Sequence, residues 1–415
     1  MESGKWGVGS RKRSRGVRRK TIIMCYAIPG KITEIKNNIV TVDYFGEKKK
    51  ARNEFYNLTI GDYIYAQGGF VIQKIPQKEA MPILETWQEL FFELQKIDMR
   101  LARRPKNLYQ IANSVRQKHL GNSCCIHGII EFSNYCGNNC LYCGIQNGNG
   151  YLKRYRMSVE EIVNNCEYAV KELGFKAIVL QSGEDSWYDE TKLADIVEKI
   201  REKCNVLLIL SIGERNFETY KKLHQSGARG ILLRFETSNR ILYQKYKPGH
   251  TLKKRLNLIH KLREFGFLIM TGFLIGLPDQ TEQDILNDIE LTASLGTDIF
   301  SFGPFIPHPQ TQLSDASSPS MDSVLTTIAR ARILYPEAKI VVTTSLETLD
   351  KKNGAKFGLL SGANSLMINV TPKKYQKLYE IYPERAGINS KITDRIKSVL
   401  NLLHSIGRAP TDLGI

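Results

Sequence analysis

Residues 126–143 read IHGIIEFSNYCGNNCLYC, an apolar segment that runs into three closely spaced cysteines. Residues 126–132 have the length and composition of a buried strand. Cys136, Cys140 and Cys143 then form a Cys-x3-Cys-x2-Cys loop. Three such thiolates can each bind one iron of a [4Fe–4S] cube and leave the fourth iron open, whereas a structural zinc site needs a fourth ligand that no nearby Cys or His supplies. The loop therefore predicts an iron–sulfur centre.

The chain that follows alternates apolar strands with amphipathic helices, a pattern typical of parallel β/α units. One helix is predicted over residues 158–173, because Ser158 and Glu161 form a capping box and Gly174 ends the segment. Eight such units predict an α/β fold with a closed (β/α)8 TIM-type barrel. The predicted strands are 126–132, 176–181, 206–211, 230–235, 267–275, 298–302, 339–344 and 365–369.

Polar residues follow the predicted strands at their carboxyl ends. Such segments begin at Gln181, Ser211, Arg234, Thr343 and Asn369. The carboxyl ends of the strands meet at one face of a β/α barrel, and that face carries the catalytic residues. We therefore expect these side chains and the cysteine loop to share one rim.

The first part of the chain has a different pattern, with short β-like segments separated by turn residues. It predicts a small all-β, OB-like barrel over residues 24–76, followed by a linker and lead-in helices over residues 77–125. The helical spacing is clearest over residues 84–101. The large barrel is then predicted over residues 126–410.

The 415 residues carry a net charge of +17, of which +7 lies in residues 1–23. That segment is predicted to be a disordered basic tail, and our preferred interpretation is a start-site artefact with translation beginning at Met24. No aromatic interleaving supports nucleic-acid recognition. No apolar run reaches membrane-spanning length, and the eight cysteines do not form a secreted disulfide framework. We expect a cytoplasmic protein without a membrane or nucleic-acid partner.

The cysteine loop resembles that of the radical SAM superfamily, placed as it is after the first barrel strand. The resemblance implies one [4Fe–4S] cluster on Cys136, Cys140 and Cys143, with S-adenosyl-L-methionine (SAM) at the open iron. The cluster would reduce SAM and release a 5′-deoxyadenosyl radical. Tyr142 matches the position that lies against adenine, and Ser182-Gly183-Glu184 is similar to the element that receives the SAM ammonium.

Six longer segments resemble the HydE family, the radical SAM maturases of [FeFe]-hydrogenase, over roughly residues 84–410; they are residues 131–136, 152–157, 179–185, 234–237, 303–309 and 375–383. The resemblance implies a set of SAM-contacting or rim residues, namely Gln181, Glu184, Glu214, Arg234, Glu236 and Arg255. Arg255 also fits a solvated helix face, because Lys253 and Lys254 precede it. The inner substrate region of that family is matched by Thr343, Thr344, Tyr379 and Tyr382, for which ordinary barrel packing is the alternative. Residues 383–415 contain no Cys, so we predict a single cluster.

Residues 24–76 resemble the HypC/HupF hydrogenase chaperones in three segments, 24–31, 42–46 and 61–70. In that family a Cys directly after the initiator Met carries an iron centre with cyanide and carbon monoxide, a role for which soft sulfur is suited. Cys25 matches it. We expect Cys25 to present or receive an iron complex near the barrel mouth, provided that the lead-in helix places the small barrel there.

Together these resemblances predict a radical SAM enzyme of hydrogenase maturation. Its substrate would be a small cysteine-bound iron carbonyl–cyanide complex or another substrate derived from an amino acid. Its partners would be other hydrogenase maturation proteins and an electron donor for the cluster. Two alternatives stay open. One is a radical SAM mutase of the methylornithine-synthase type, and the other is a non-enzymatic chaperone that delivers an iron complex.

Overall fold

The computed structural model describes residues 28–411, so the predicted basic tail and Cys25 lie outside the described part of the chain. Its first five strands form a closed, mainly antiparallel barrel with neighbours in the order β1-β2-β3-β5-β4. In β2 every second side chain points inward, which places Val40, Val42 and Tyr44 in the core. The predicted small all-β barrel is confirmed. Its strands are β1 (Gly30–Lys36), β2 (Ile39–Tyr44), β3 (Glu47–Arg52), β4 (Tyr63–Gln67) and β5 (Phe70–Ile75).

Two helices connect the small barrel to the large one. Helix α1 (Gln77–Ala102) begins earlier than its periodic stretch predicts, and helix α2 (Leu108–Leu120) begins at the N-cap Asn107. The buried face of α1 presents Trp87 and Phe91 to the core of the small barrel. The first lead-in helix is therefore part of the small barrel's hydrophobic core.

The predicted eight-stranded parallel barrel is confirmed. Its strands close in chain order, and the last pairs with the first over residues Ser365–Asn369 and Cys125–Ile129. They are β6 (Cys125–Ser133), β7 (Ala177–Ser182), β8 (Leu207–Ser211), β9 (Gly230–Leu232), β10 (Leu268–Thr271), β12 (Ile299–Phe300), β14 (Lys339–Val342) and β15 (Ser365–Asn369).

One predicted strand, 267–275, is divided in the structure. Its second part, β11 (Leu274–Ile275), pairs with β13 (Gly303–Pro304) in a separate two-stranded parallel sheet above the barrel. The chain leaves the barrel sheet where Phe273 stacks on Phe302 with ring centroids 4.8 Å apart. This extra sheet extends the wall of the barrel at its mouth.

Helices follow most of the strands and cover the outside of the barrel. The capping box of Ser158 and Glu161 is present at the start of α3, as the sequence predicts. The helices are α3 (Val159–Lys171), α4 (Glu190–Lys203), α5 (Phe217–Ser226), α6 (Arg240–Tyr246), α7 (Leu252–Phe265), α8 (Glu282–Ser294), α9 (Met321–Leu334), α10 (Thr344–Leu349), α11 (Gly354–Leu360), α12 (Lys373–Gln376) and α13 (Ile392–Ser405). In residues 28–411 no helix combines the length and apolar character needed to cross a bilayer.

The small barrel packs on the bottom of the large barrel, at the amino ends of its strands. The turn between β4 and β5 reaches the first residues of β8 and β10, and a Cβ added at Gly68 would lie 2.7 Å from Leu207 Cδ2 and 2.8 Å from Leu268 Cδ1. Phe70 shares a hydrophobic core with these leucines. Because Gly68 also has φ +58°, glycine is the residue that suits both the turn and the close contact.

Polar contacts hold the same interface together. Arg229 forms an ion pair with Glu54, and Tyr56 donates to Asn205 Oδ1 at 3.2 Å. Both partners in the large barrel lie just before strands, at the face opposite the rim. Direct transfer of an iron complex at the mouth requires the small barrel to lie there. This condition is not met, because the small barrel lies at the other end of the large one.

A buried charge cluster ties α1 to α2 and to the end of the chain. The Asp98 carboxylate accepts from Arg116 Nη2 at 2.6 Å and from Arg408 Nε at 3.1 Å. All three side chains are at most 1% exposed. Arg408 comes 310 residues after Asp98, so this cluster joins the lead-in helix to the carboxyl end of the large barrel.

Candidate active site

A cavity of about 290 Å³ opens at the carboxyl ends of the barrel strands. Nearly all of the predicted site residues line it: Cys136, Cys140, Tyr142, Cys143, Gln181, Ser182, Glu184, Arg234, Glu236, Arg255, Thr343, Thr344, Tyr379 and Tyr382. Glu214 is not a lining residue but contacts Arg255, and Cys25 lies outside the described residues. Residues from the whole length of the large barrel thus meet at one place.

The cysteine loop is held at the cavity by backbone hydrogen bonds. Gly137 N–H donates to Glu184 O at 3.0 Å, and Glu184 N–H points back to Cys136 Sγ at 3.4 Å. Cys143 N–H closes a turn onto Cys140 O at 3.1 Å. The loop after β6 and the loop after β7 therefore support each other, and a backbone donor already faces a cysteine sulfur.

These cysteines have the chemistry that an iron–sulfur cluster needs. They are free thiols, and burial is the main reason that the pKa values of Cys136 and Cys143 are raised. In residues 28–411 no three His, Cys, Asp or Glu side chains converge tightly enough for a single metal ion. In a cube each thiolate binds a different iron, so the three thiols need not converge on one point. The three soft sulfur donors fit the cluster that the loop predicts, and so does the Glu184 backbone N–H that faces Cys136 Sγ.

Arg255 lies in the site and not on a solvated helix face. Its side chain is 4% exposed, with Nε 2.8 Å from Glu214 Oε1 and Nη2 3.7 Å from Glu184 Oε1. Burial lowers the pKa of Arg255, but Tyr243 and the two acids raise it by more, so the net shift of this pKa is upward. Arg255 Nε and Glu214 Oε1 are close without hydrogen-bond alignment, and both atoms are buried without a hydrogen-bond partner. The two atoms face each other at 2.8 Å, so Glu214 compensates the charge of Arg255 from behind the cavity lining.

Arg234 and Glu236 form a second pair on the cavity wall, with Arg234 Nε 3.1 Å from Glu236 Oε2. Glu236 has φ +68°, a backbone conformation that is uncommon for residues other than glycine. Among the six positive-φ residues other than glycine in residues 28–411, Glu236 is the one that lines the cavity. Burial, Cys140 and Glu236 all raise the pKa of the nearby Tyr142 hydroxyl, which stays neutral.

A glycine allows Glu184 to reach its position. Gly213 has φ +75°, and a Cβ on it would lie 2.0 Å from Glu184 Cγ. Any larger residue would therefore displace the Glu184 side chain. The loop after β8 is shaped around the acid on the loop after β7.

One part of the cavity wall carries the inner hydroxyl groups, named after the inner substrate region of the HydE family that they match. Thr343 Oγ1 lies 2.9 Å from Ser345 Oγ, and Gln181 Nε2 donates to the Tyr379 hydroxyl at 3.1 Å. Thr344 and Tyr382 line the same space. These side chains border the cavity, and Tyr379 is also part of the main hydrophobic core.

Two features of the site are not among the residues that the sequence predicts. The first is a buried ion pair between Glu131 on β6 and Arg385, whose Nη1 also donates to Tyr379 O at 2.6 Å. The available signal was an acid within an apolar strand, because a buried carboxylate needs a partner. Its partner lies 254 residues further along the chain, and no local pattern identifies it.

The second is Lys247, which is 5% exposed and has its Nζ 3.6 Å from Cys140 Sγ. Burial and Arg255 lower the pKa of Lys247, but Cys140, Tyr243 and Glu236 raise it, and the net shift is upward. Lys247 follows α6 in a Tyr-Lys-Pro-Gly turn that has no sequence signal of a site.

Comparison with known proteins agrees with this geometry. Residues 130–292 match the radical SAM superfamily, and residues 24–87 match the HupF/HypC family. A barrel that carries three cysteines at its mouth, together with the first match, defines a radical SAM enzyme. Membership of that class implies a [4Fe–4S] cluster and SAM.

The particular family follows from a curated relative. The [FeFe] hydrogenase maturase subunit HydE of Thermotoga maritima is 40% identical over 303 residues, which is 73% of this chain and 86% of that protein. The chain belongs to the HydE family of radical SAM hydrogenase maturases and carries a HupF/HypC domain in front.

Two further relatives are methylornithine synthases. The 3-methylornithine synthase of Methanosarcina acetivorans is 30% identical over 74% of this chain and 85% of that protein. The crystal structure of methylornithine synthase (PylB) has a TM-score of 0.65 and 25% identity, and the match covers 78% of this chain and 98% of that one. The large barrel is therefore shared between maturases and an amino-acid enzyme.

Proposed function

We propose that this enzyme binds one [4Fe–4S] cluster on Cys136, Cys140 and Cys143 and uses SAM to act on a small cysteine-bound iron carbonyl–cyanide complex. The observation that carries the proposal is that the cysteine loop, the charged pairs and the inner hydroxyl groups all border one cavity. When bound, the cluster supplies one electron to SAM, which yields methionine and a 5′-deoxyadenosyl radical. The protein has to hold SAM against the cluster and the substrate within reach of the radical.

The charged pairs suit the polar end of SAM. Glu184 is 18% exposed and is only 3.7 Å from Arg255, so its carboxylate can accept from the SAM ammonium without leaving a cation unpaired. Arg234 and Arg255 can each pair with the SAM carboxylate, and Glu214 and Glu236 can accept from hydroxyl groups. Tyr142 supplies an aromatic face for the adenine. These roles follow the HydE resemblance and are compatible with the cavity.

The inner hydroxyl groups suit the proposed substrate. Thr343, Thr344, Tyr379 and Tyr382 can donate to the carboxylate of a cysteine ligand or to cyanide nitrogen. The Glu131–Arg385 pair is internally neutral, and Arg385 holds Tyr379 by donating to its backbone carbonyl. A cysteine-bound iron complex would thus meet uncharged donors in the same cavity as the SAM-contacting charges.

The cluster assignment is tested by anaerobic reconstitution, which should give about four irons per chain. A value near eight would contradict the single cluster. A Cys140→Ser protein that kept an intact cluster would contradict the ligand set, and Cys166→Ser is the matched control because that thiol is buried in α3, outside the cavity lining.

The substrate is tested by a turnover with a synthetic iron–cysteine carbonyl–cyanide complex. Mass spectrometry should show a modified complex together with 5′-deoxyadenosine. Rearrangement of an amino acid instead would favour the methylornithine-synthase alternative, which the 30% identity and the TM-score of 0.65 keep open. A reduced protein with an intact cluster that cleaves no SAM would favour the delivery chaperone.

The role of Cys25 stays a prediction. The position of the small barrel changes which partner we expect Cys25 to serve. A barrel that packs on the bottom face disfavours direct transfer into the cavity, so we propose that Cys25 exchanges an iron complex with another maturation protein. A Cys25→Ser protein should keep SAM cleavage and lose transfer to the acceptor. Unchanged transfer would exclude Cys25.

We propose that the protein works in the cytoplasm with an external electron donor for the cluster. The seven described cysteines are all free thiols, as in a reducing compartment. Fractionation of the native cells tests the location.

A further inference from the structure

Lys247 differs from the other cations that line the cavity. Arg234, Arg255 and Arg385 each have a carboxylate within 4 Å. Across residues 28–411 no carboxylate lies that close to Lys247 Nζ, and its polar partner there is Cys140 Sγ at 3.6 Å. A buried ammonium is costly unless a negative group compensates it. The group that faces the ammonium is a cysteine of the proposed cluster, whose sulfur is negative when it binds iron.

Two backbone and side-chain contacts keep the ammonium where it is. Leu141 N–H, next to Cys140, donates to Tyr246 O at 3.0 Å. His250 Nε2 lies 3.1 Å from Asn138 Oδ1 on the same cysteine loop. The segment that carries Lys247 is therefore tied to the cysteine loop on both sides of Lys247.

The effect of this cation on a cluster follows from electrostatics. Adding one electron makes a cluster more negative, and a neighbouring positive charge stabilises the reduced form more than the oxidised form. Net charge and hydrogen bonds to the ligand sulfurs are established determinants of iron–sulfur potentials. Since the site is buried, solvent screens the interaction little.

We propose that Lys247 is a positioning residue that donates to the Cys140 sulfur, compensates the ligand's negative charge and raises the reduction potential of the cluster. The inference rests on the proposed function, because it requires a cluster on Cys140. It concerns how easily the cluster accepts its electron, and it is independent of which substrate lies in the inner cavity.

The test compares three variants by an EPR-monitored redox titration of reconstituted protein without SAM. Lys247→Met removes the charge at similar length, and Lys247→Arg keeps it. Lys245→Met is the matched control, because Lys245 is on the same segment but 51% exposed and paired with Asp279 at 2.8 Å. We expect Lys247→Met to lower the ratio of reduced to oxidised cluster at a fixed potential at least about tenfold, which is 59 mV for one electron. Lys247→Arg and Lys245→Met should stay near the wild type.

An unchanged midpoint potential in Lys247→Met would overturn the inference while leaving the proposed function in place. If Lys247→Met kept the wild-type potential but bound SAM more weakly, Lys247 would be assigned to the SAM carboxylate. That result would also overturn the inference. If Lys247→Met folds but holds no iron, restored iron in Lys247→Arg supports the charge role, and iron loss in both contradicts it. A wild-type protein that forms no cluster would instead refute the proposed function.

Discussion

The two ends of the large barrel both bury ion pairs between arginines and acids, yet they use them differently. At the bottom, Asp98 is enclosed by Arg116 and Arg408, and all three side chains are at most 1% exposed. At the mouth, Arg255 and Glu184 border a cavity of about 290 Å³, and Glu184 keeps 18% of its side chain exposed. The same residue types stabilise the fold where they are enclosed and can bind a ligand where a cavity remains beside them.

The two ends of the large barrel also differ in what covers them. The bottom is covered by the small barrel, which shares a hydrophobic core with the first residues of the barrel strands. The mouth is covered by loops that carry the cysteines and the charged pairs. Variants at the bottom should therefore change stability, and variants at the mouth should change ligand binding.

The largest effect is expected for Asp98→Ala. Removing the acid leaves two buried guanidinium groups facing each other, and breaking a buried pair typically costs about 3–5 kcal/mol. The free energy of unfolding from denaturant titration measures it. Asp195→Ala is the control, because its pair with Lys199 is about half exposed and should contribute less than about 1 kcal/mol. If both variants lowered the free energy of unfolding equally, the structural role of the buried Asp98 charge cluster would be contradicted.

The next effect is expected at the mouth, for Glu184→Ala. Loss of a charge-assisted partner should weaken SAM binding by about 1.5–3 kcal/mol, or roughly 10- to 150-fold, with little change in stability. Calorimetric titration of the reconstituted protein measures the affinity. Glu190→Ala is the control, because Glu190 pairs with Lys222 on the outer surface at 3.2 Å. Unchanged SAM affinity would remove Glu184 from the binding site.

A smaller effect is expected for Gly68→Ala at the contact between the barrels. The new Cβ would press on Leu207 and Leu268, and overpacking of this kind typically costs about 1–3 kcal/mol. Gly61→Ala separates this cost from backbone strain, because Gly61 also has positive φ but has nothing within 4 Å of the added Cβ. If both variants lose the same stability, the interface is not tightly packed at Gly68.

The smallest effect concerns a mouth-side acid that does not line the cavity. Burial raises the pKa of Asp288 on α8 from 3.8 to about 7, although Ser238 and Gln280 donate to it. Between these pH values the folded protein keeps a proton that the unfolded chain has lost, so this group makes stability fall as pH rises. Asp288→Asn should reduce the fall in melting temperature between pH 5 and pH 7.5 by about 2 °C. A pH dependence identical to that of the wild type would show that Asp288 does not titrate in this range.

Much of the fold can be predicted from the sequence, because its signals are local. The cysteine spacing lies within eight residues, and the strand and helix periodicities each lie within one segment. The eight strands, the small all-β barrel and the capping box of α3 are all found where the sequence predicts them or within a few residues. The shared location of the predicted site residues follows from the same rule, since the carboxyl ends of parallel strands meet at one face.

Other features depend on contacts between residues that are far apart in the sequence. Lys247 meets Cys140 across 107 residues of sequence, and Arg385 meets Glu131 across 254. Arg255 stands beside two exposed lysines in the sequence, and only the packing of α7 turns it into the cavity. The docking of the small barrel on the bottom face likewise depends on the shapes of two finished surfaces. A repeating pattern describes the neighbours of a residue along the chain, whereas these contacts depend on which distant residues the closed barrel brings together in space.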